Sequence, residues 1–186
     1  MTETKNTSTV AYVLKLGVIL FLICAITAGL LGLVNSITED RIAEITAEKT
    51  AAAMSTVLPA DAYDEVEYTG GDALVVTAYK ASTGGSAIGY VVEVTPSGFG
   101  GTIDMVVGVD MNGAVTGVDI IDMSETSGLG ANASKDSFRE QYIGGTGSFA
   151  VTKDGGTIDA LTGATVTSRA VTSGVNAAVA AAATLG

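Results

Sequence analysis

Between Thr157 and Ser168 the chain reads TIDALTGATVTS, in which Thr162 and Thr165 bracket Gly163 and Ala164 just before a helical pattern. Gly163 and Ala164 keep Cβ bulk low, so a large group can come close to the backbone there. A helix that begins at this point presents unpaired N–H groups and partial positive charge, which suits a phosphate held beside Thr162 or Thr165. Arg169, in the expected first turn, is the candidate counter-charge, and Thr167 or Ser168 the candidate cap. The plainer alternative is a Thr-rich turn that only caps a helix.

Composition narrows the chemistry further. The 186 residues include no His and one Cys, Cys24, which removes His-based triads, zinc cages and cysteine-held iron–sulfur clusters. Redox chemistry therefore needs an organic cofactor. A hydrolase using Thr165 as nucleophile would have to take Lys153 as its base, a weak arrangement. Past residue 35, acids outnumber bases 19 to 7, a balance that repels nucleic acid phosphates. No strand–GxGxxG–helix unit is present, so direct NAD binding is not expected.

The elements that must position the motif follow in order. Leu16 to Val34 is an uncharged apolar run of 19 residues, enough to cross a bilayer as a helix. A cleaved signal peptide is the rival, but the run exceeds the usual apolar region of one. Lys5 and Lys15 precede the span and the acidic NSITEDRIAEI follows it, so the N-terminus is expected in the cytoplasm and the rest outside. The expected division is 1–15 cytoplasmic, 16–34 transmembrane, 35–59 a membrane-proximal helix ending at Pro59, and 60–186 an extracytoplasmic domain. In that domain ALVVTAYKA, AIGYVVEVT, TIDMVVGVD and AVTGVDIID read as strands, with Asn112-Gly113 as a type I′ hairpin turn. SKDSFREQYIGG reads as a short helix with Ser137 and Glu140 in capping-box spacing and Phe138 and Tyr142 on one face. SFAVTKDGGTIDAL reads as another hairpin, and Val171, Val175, Ala178, Val179 and Ala182 mark the apolar face of a final helix. The fold class is α+β: a transmembrane helix, then a twisted antiparallel sheet with helices packed on one side. Tyr63, Tyr68, Tyr79, Tyr90 and Tyr142 are expected as sheet and core aromatics.

DALTGAT, Asp159 to Thr165, resembles the flavinylation motif of the FMN-binding domain family, in which a flavin transferase esterifies FMN, taken from FAD, to the last Thr. The anchor followed by NSITEDRIAEI, then VLP, GYVVEV, SGFGG, VGVDMNGAVTGVDIIDMSETSGLG, FREQYIGG and TGATVTSRAVTSGVNAA resemble, in the same order, the G subunit of the Rnf electron-transport complex. The C subunit of the sodium-pumping NADH:quinone oxidoreductase shares the motif but is a longer protein. The resemblance implies covalent FMN on Thr165, with Asp159, Thr162, Gly163 and Ala164 recognised by the transferase and Ser168 beside them. Asp159 has the alternative role of closing the preceding turn. Ser97 and Gly98 of SGFGG, and Glu125, Thr126, Gly128, Leu129 and Gly130 of ETSGLG, would bring backbone near the flavin, or else form turns that need glycine. Where the family commonly has Pro, this chain has Ser127. The implied function is electron transfer within a prokaryotic plasma-membrane complex that links reduced ferredoxin, NAD⁺ and Na⁺ or H⁺ transport. Its partners would be the other Rnf subunits and the transferase, and no independent catalysis is expected of the chain. Alternatives are a covalent-FMN carrier of another extracytoplasmic respiratory chain and a non-redox binding module.

Overall fold

The structure, a computed structural model, describes residues 4–186, with side chains from Val10 onward except that of Asp40. Residues 1–3 of the expected cytoplasmic segment and the side chain of Lys5 lie outside the described ones. Helix α1 runs Thr4–Val57, and the chain divides into two compact units, Met1–Thr46 and Ala47–Gly186.

In the first unit, the stretch Val10–Glu39 of α1 is long and apolar enough to cross a membrane, and none of it is buried. Both of its threonine hydroxyls are internally satisfied. Thr27 Oγ1 donates to the Ile23 carbonyl at 2.7 Å and Thr38 Oγ1 to that of Val34 at 2.9 Å, back-bonds that let a polar residue sit in an apolar setting.

The second unit is built on five antiparallel strands in the order β1-β2-β3-β4-β5: Ala62–Val66, Val75–Thr83, Ser86–Val94, Ile103–Asp110 and Val115–Met123. β1, AYDEV, is an edge strand with two acidic side chains exposed, a composition that discourages pairing with another chain and that gives little strand signal. Helix α3, Thr165–Leu185, lays Val171, Val175, Ala178 and Ala182 against Tyr90, Val92, Val94, Met105 and Val107. On the opposite face the end of α1, through Ala53, Met54 and Val57, and Leu58 just after it pack on Ala81, Val91 and Val106. Helices therefore cover both faces of the sheet, not one as expected. The central strands carry the reason: Tyr90-Val91-Val92 and Met105-Val106-Val107 are buried residue after residue, which requires cover on both sides.

The sheet makes a seat for α1. Gly108 and Gly117 pair across β4 and β5, and a Cβ on Gly117 would lie 2.7 Å from Val57 Cα. Thr116 Oγ1 donates to the Val57 carbonyl at 2.6 Å, satisfying a group that the helix end leaves orphaned.

The turns depart from expectation. The type I′ arrangement occurs between β2 and β3, where Gly84 and Gly85 have φ of 57° and 80°. Between β4 and β5 only Gly113 has positive φ, and its N–H donates to the Asp110 carbonyl at 3.0 Å. Asn112 does not need the left-handed region, because Asp110 Oδ1 accepts the N–H groups of Asn112 at 2.8 Å and Ala114 at 2.9 Å. These bonds, that from Ala114 foremost, hold the Asp110 carboxyl below its usual range. The short helix α2, Asp136–Arg139, starts after Lys135 with no side-chain cap, so the expected capping box is not formed. Ser137 sits inside the helix, and Glu140 opens a 3₁₀ turn, Glu140–Tyr142. Arg139 compensates by pairing with Asp119 and Asp136, which fixes this segment to β5. Phe138 and Tyr142 do share a buried face, their rings edge to face at 5.9 Å, and Phe149 extends the cluster.

Glu93 and Asp104, half-buried on adjacent strands, have carboxyls raised above their ordinary values, by burial first and then by Asp104 and Asp122 respectively. A carboxyl with a raised folded pKa binds its proton more tightly folded than unfolded, so its charged form weakens the fold as pH rises through that pKa. Glu93→Gln is accordingly expected to stabilise the chain at pH 7, and the gain should vanish below pH 4.5, the ordinary value of the group. Urea melts at the two pH values check this; an equal gain at both refutes it.

Candidate functional site

The TGAT stretch is a turn that feeds a helix. Ala164 N–H donates to the Leu161 carbonyl at 3.0 Å and Gly163 has φ of 77°, the type II arrangement that needs glycine at its third position. α3 then starts at Thr165 with Ala164 as N-cap and no side-chain cap. The helix begins earlier than the expected caps require, so neither Thr167 nor Ser168 acts as one. Ser168, fully buried, instead accepts the Leu161 N–H at 2.9 Å and donates to the Ala164 carbonyl at 2.9 Å, bracing the turn from beneath. One turn on, Thr172 donates to the Ser168 carbonyl at 2.7 Å and so must accept from the Tyr142 hydroxyl, 2.8 Å away. Burial pushes the Tyr142 phenol up to about 12, keeping it a donor.

The start of α3 is rich in free donors. The N–H groups of Thr165, Val166 and Thr167 have no backbone acceptor among the described residues, as a helix N-terminus dictates. Thr165 is half-buried and its Oγ1 accepts from Lys153 Nζ at 2.9 Å. Arg169 is not the counter-charge here. Its guanidinium is committed to Asp154, Nε to Oδ2 at 2.7 Å and Nη2 to Oδ1 at 2.6 Å, which holds the Asp154 carboxyl below and the guanidinium above their usual values. Lys153 and Asp154 belong to a 3₁₀ turn, Thr152–Asp154, ended by Gly155. The expected hairpin over residues 148–161 is absent: Val151 and Ile158 form a parallel bridge, and the chain between them loops out to carry Lys153.

A cleft of about 400 Å³ opens in front of Thr165. That size suits a small-molecule ligand. Among the expected residues, Gly163, Ala164, Thr165, Glu125, Thr126, Leu129 and Gly130 line it. Ser97, Gly98, Gly128, Asp159, Thr162 and Ser168 are not among its lining residues. Asp159 is exposed, and its backbone is held by the Gln141 amide, the N–H at 2.6 Å and the carbonyl at 3.3 Å. Ser97 bridges Thr102 at the base of its loop.

Glu125 joins the two glycine loops to the helix. Its Oε1 accepts the N–H groups of Phe99 at 2.7 Å and Gly100 at 3.2 Å, and its Oε2 accepts from Thr167 Oγ1 at 2.9 Å. A Cβ on Gly98 would run into Oε1 and one on Gly130 into Oε2, so these glycines make room for the carboxylate. Glu125→Ala should cost about 1–3 kcal/mol, since it leaves three donors to find water. Thermal unfolding measures the loss. Amide exchange should show Phe99 and Gly100 losing protection, and unchanged exchange there would refute the latch.

Sequence reasoning passed over Phe99 and Val166, and weighed Lys153 only as the base of a hydrolase. Phe99, at the tip of SGFGG, is 74% exposed and lines the cleft together with exposed Leu129 and Val166, giving it apolar lips. The exposed aromatic in a glycine loop was the available signal.

Two family descriptions match the chain: FMN-binding domain over residues 98–180 and RnfG N-terminal region over residues 7–57. The G subunit of the Na(+)-translocating ferredoxin:NAD(+) oxidoreductase complex of Acetobacterium woodii is 35% identical over 189 residues, 90% of each chain. The G subunit of the proton-translocating ferredoxin:NAD(+) oxidoreductase complex of Clostridium ljungdahlii is 47% identical over 105 residues, 54% of this chain and 57% of that one. Its counterpart in the ion-translocating oxidoreductase complex of Methanosarcina acetivorans is 34% identical over 173 residues, covering 89% and 92%. With likeness at this level along both the N-terminal region and the cleft-bearing part, the chain belongs to the family of G subunits of Rnf-type ion-translocating oxidoreductase complexes.

Proposed function

We propose that the chain is the electron-carrying G subunit of a membrane complex that links ferredoxin, NAD⁺ and ion transport, with FMN esterified through its phosphate to Thr165. The observation that carries this reading is a half-buried hydroxyl at the first residue of a long helix, facing a cleft and flanked by three free N–H groups and an ammonium. That donor set fits a phosphate ester, and the apolar lips formed by Phe99, Leu129 and Val166 fit a flat ring system. Bound FMN supplies the one- and two-electron chemistry for which the side chains have no equivalent.

The protein's own part is placement. The type II turn at Gly163 sets Thr165 at the cleft, Ser168 braces that turn, and Glu125 ties the 97–101 loop to α3 so that the lips are held in register. An ester bond keeps the cofactor from diffusing away while its ring stays accessible to electron donors and acceptors. The apolar stretch Val10–Glu39 serves as a single membrane anchor, N-terminus in the cytoplasm and the FMN-binding domain outside. The other Rnf-type subunits surround it, and a flavin transferase matures it.

Intact mass of the chain co-expressed with a flavin transferase tests the attachment. A gain equal to FMN less one water, retained through denaturation with in-gel fluorescence, is expected. An unmodified chain, with a known substrate flavinylated in parallel, would overturn the reading.

A further inference from the structure

We propose that Lys153 is a positioning residue for flavin attachment: its ammonium holds the Thr165 hydroxyl before transfer and faces the phosphodiester afterwards. The inference rests on Thr165 being the attachment point. Transfer from FAD forms a bond from Thr165 Oγ1 to the phosphorus of the FMN half and breaks the pyrophosphate P–O bond. AMP leaves with that electron pair, and the hydroxyl proton passes to a base on the transferase.

Three observations favour the lysine. First, Lys153 Nζ donates to Thr165 Oγ1 at 2.9 Å, so the oxygen is held through a lone pair while its own proton stays available to a base. As an ammonium, Lys153 acts through charge and not as that base. Second, it is the one cation among the described residues lining the cleft, in a chain of formal net charge −11, where an added phosphate anion otherwise meets an acidic field. Third, its reach is built in. Asp154, the next residue, is gripped bidentately by Arg169 of α3, and the Thr152 N–H is held by the Ile158 carbonyl at 2.8 Å, so the 3₁₀ turn is pinned on both sides of Lys153. Arg169 thus serves the site at one remove, by fixing the turn that carries the charge.

The test is the rate of mass gain by the full chain in detergent micelles with purified transferase and FAD, for wild type, Lys153→Gln and Lys153→Arg. Loss of one charge-assisted hydrogen bond should lower kcat of Lys153→Gln by about tenfold to a hundredfold with KM for the chain little changed. Lys153→Arg, which keeps the charge, should recover most of the rate, and unmodified Lys153→Gln should melt as wild type does. A wild-type rate in Lys153→Gln overturns the inference and leaves the attachment reading standing. So does a rise in KM alone, which would make Lys153 a docking contact, or an equal loss in both variants, which would make the requirement steric. A wild-type chain that gains no mass overturns the attachment reading itself.

Discussion

Thr165→Ala is expected to abolish covalent flavin completely, with no mass gain and no in-gel fluorescence, because none of the other hydroxyls of the turn and helix start can take its place. Thr167 is buried and engaged with Glu125, and Ser168 is buried beneath the turn it braces. Thr162 is exposed but lies on the far side of the type II turn from the helix start, outside the cleft lining. The fold should hardly notice the change. Thr165 is the first helical residue, its side chain makes no bond to the core, and alanine is a good helix former, so stability should move within about 0.5 kcal/mol. Thr165→Ser keeps a hydroxyl at the same place and should still accept FMN. Persistent fluorescence in Thr165→Ala would move the attachment elsewhere.

Gly117→Ala is expected to be among the most damaging single substitutions. The added methyl lands 2.7 Å from Val57 Cα and 2.9 Å from the Val57 carbonyl, both backbone atoms that cannot rotate away. Relief requires the end of α1 to lift from the sheet, and that also breaks the Thr116 bond to Val57 and loosens Met54 and Leu58 from Val91 and Val106. Overpacking of this kind costs about 1–3 kcal/mol, which for a chain of this size lowers Tm by roughly 3–10 °C. Tyrosine near-UV circular dichroism follows the melt, since the chain has no Trp. Alanine at the exposed Gly71 is not a fair control because φ there is 74°; Ser148→Ala, at an exposed position outside the strands and helices, is. A Tm for Gly117→Ala equal to that of the control would mean that the α1 seat is not tightly packed.

How far the sequence disclosed all this depends on the range of the interaction. TGAT announced a helix start and an approachable backbone because both are local properties of Gly163, Ala164 and the Val171–Val175 periodicity. The β-branched runs announced β2 to β5 for the same reason. β1 was illegible because its acids serve the edge and not the core. The double cover of the sheet was written in the unbroken apolar runs of β3 and β4, which an alternation-based reading takes for ordinary strands. Lys153 and Glu125 were harder. Lys153 meets Thr165 only because Asp154 finds Arg169 across a loop, and Glu125 meets Phe99 and Gly100 across the ends of β4 and β5, contacts with no periodic trace. The same holds for Arg169, whose position in the first turn pointed correctly to α3 but whose charge is used on a neighbour. The motif points to Thr165 as the proposed attachment point; the loops around it have to be seen folded.

Each strand of the sheet pairs with the strand made just before it, so the meander can assemble in the order of synthesis from short-range contacts. α3 comes after all five strands in the chain, and until it docks, the face carrying Val92, Val94, Met105 and Val107 lies open to solvent and to other chains. The turn that presents Thr165 is braced through Ser168, itself part of that docking helix. Under the proposed attachment to Thr165, an acceptor finished last would be a maturity mark: a transferase that recognises the completed turn would label only molecules whose core has closed, and flavin content would then count folded protein.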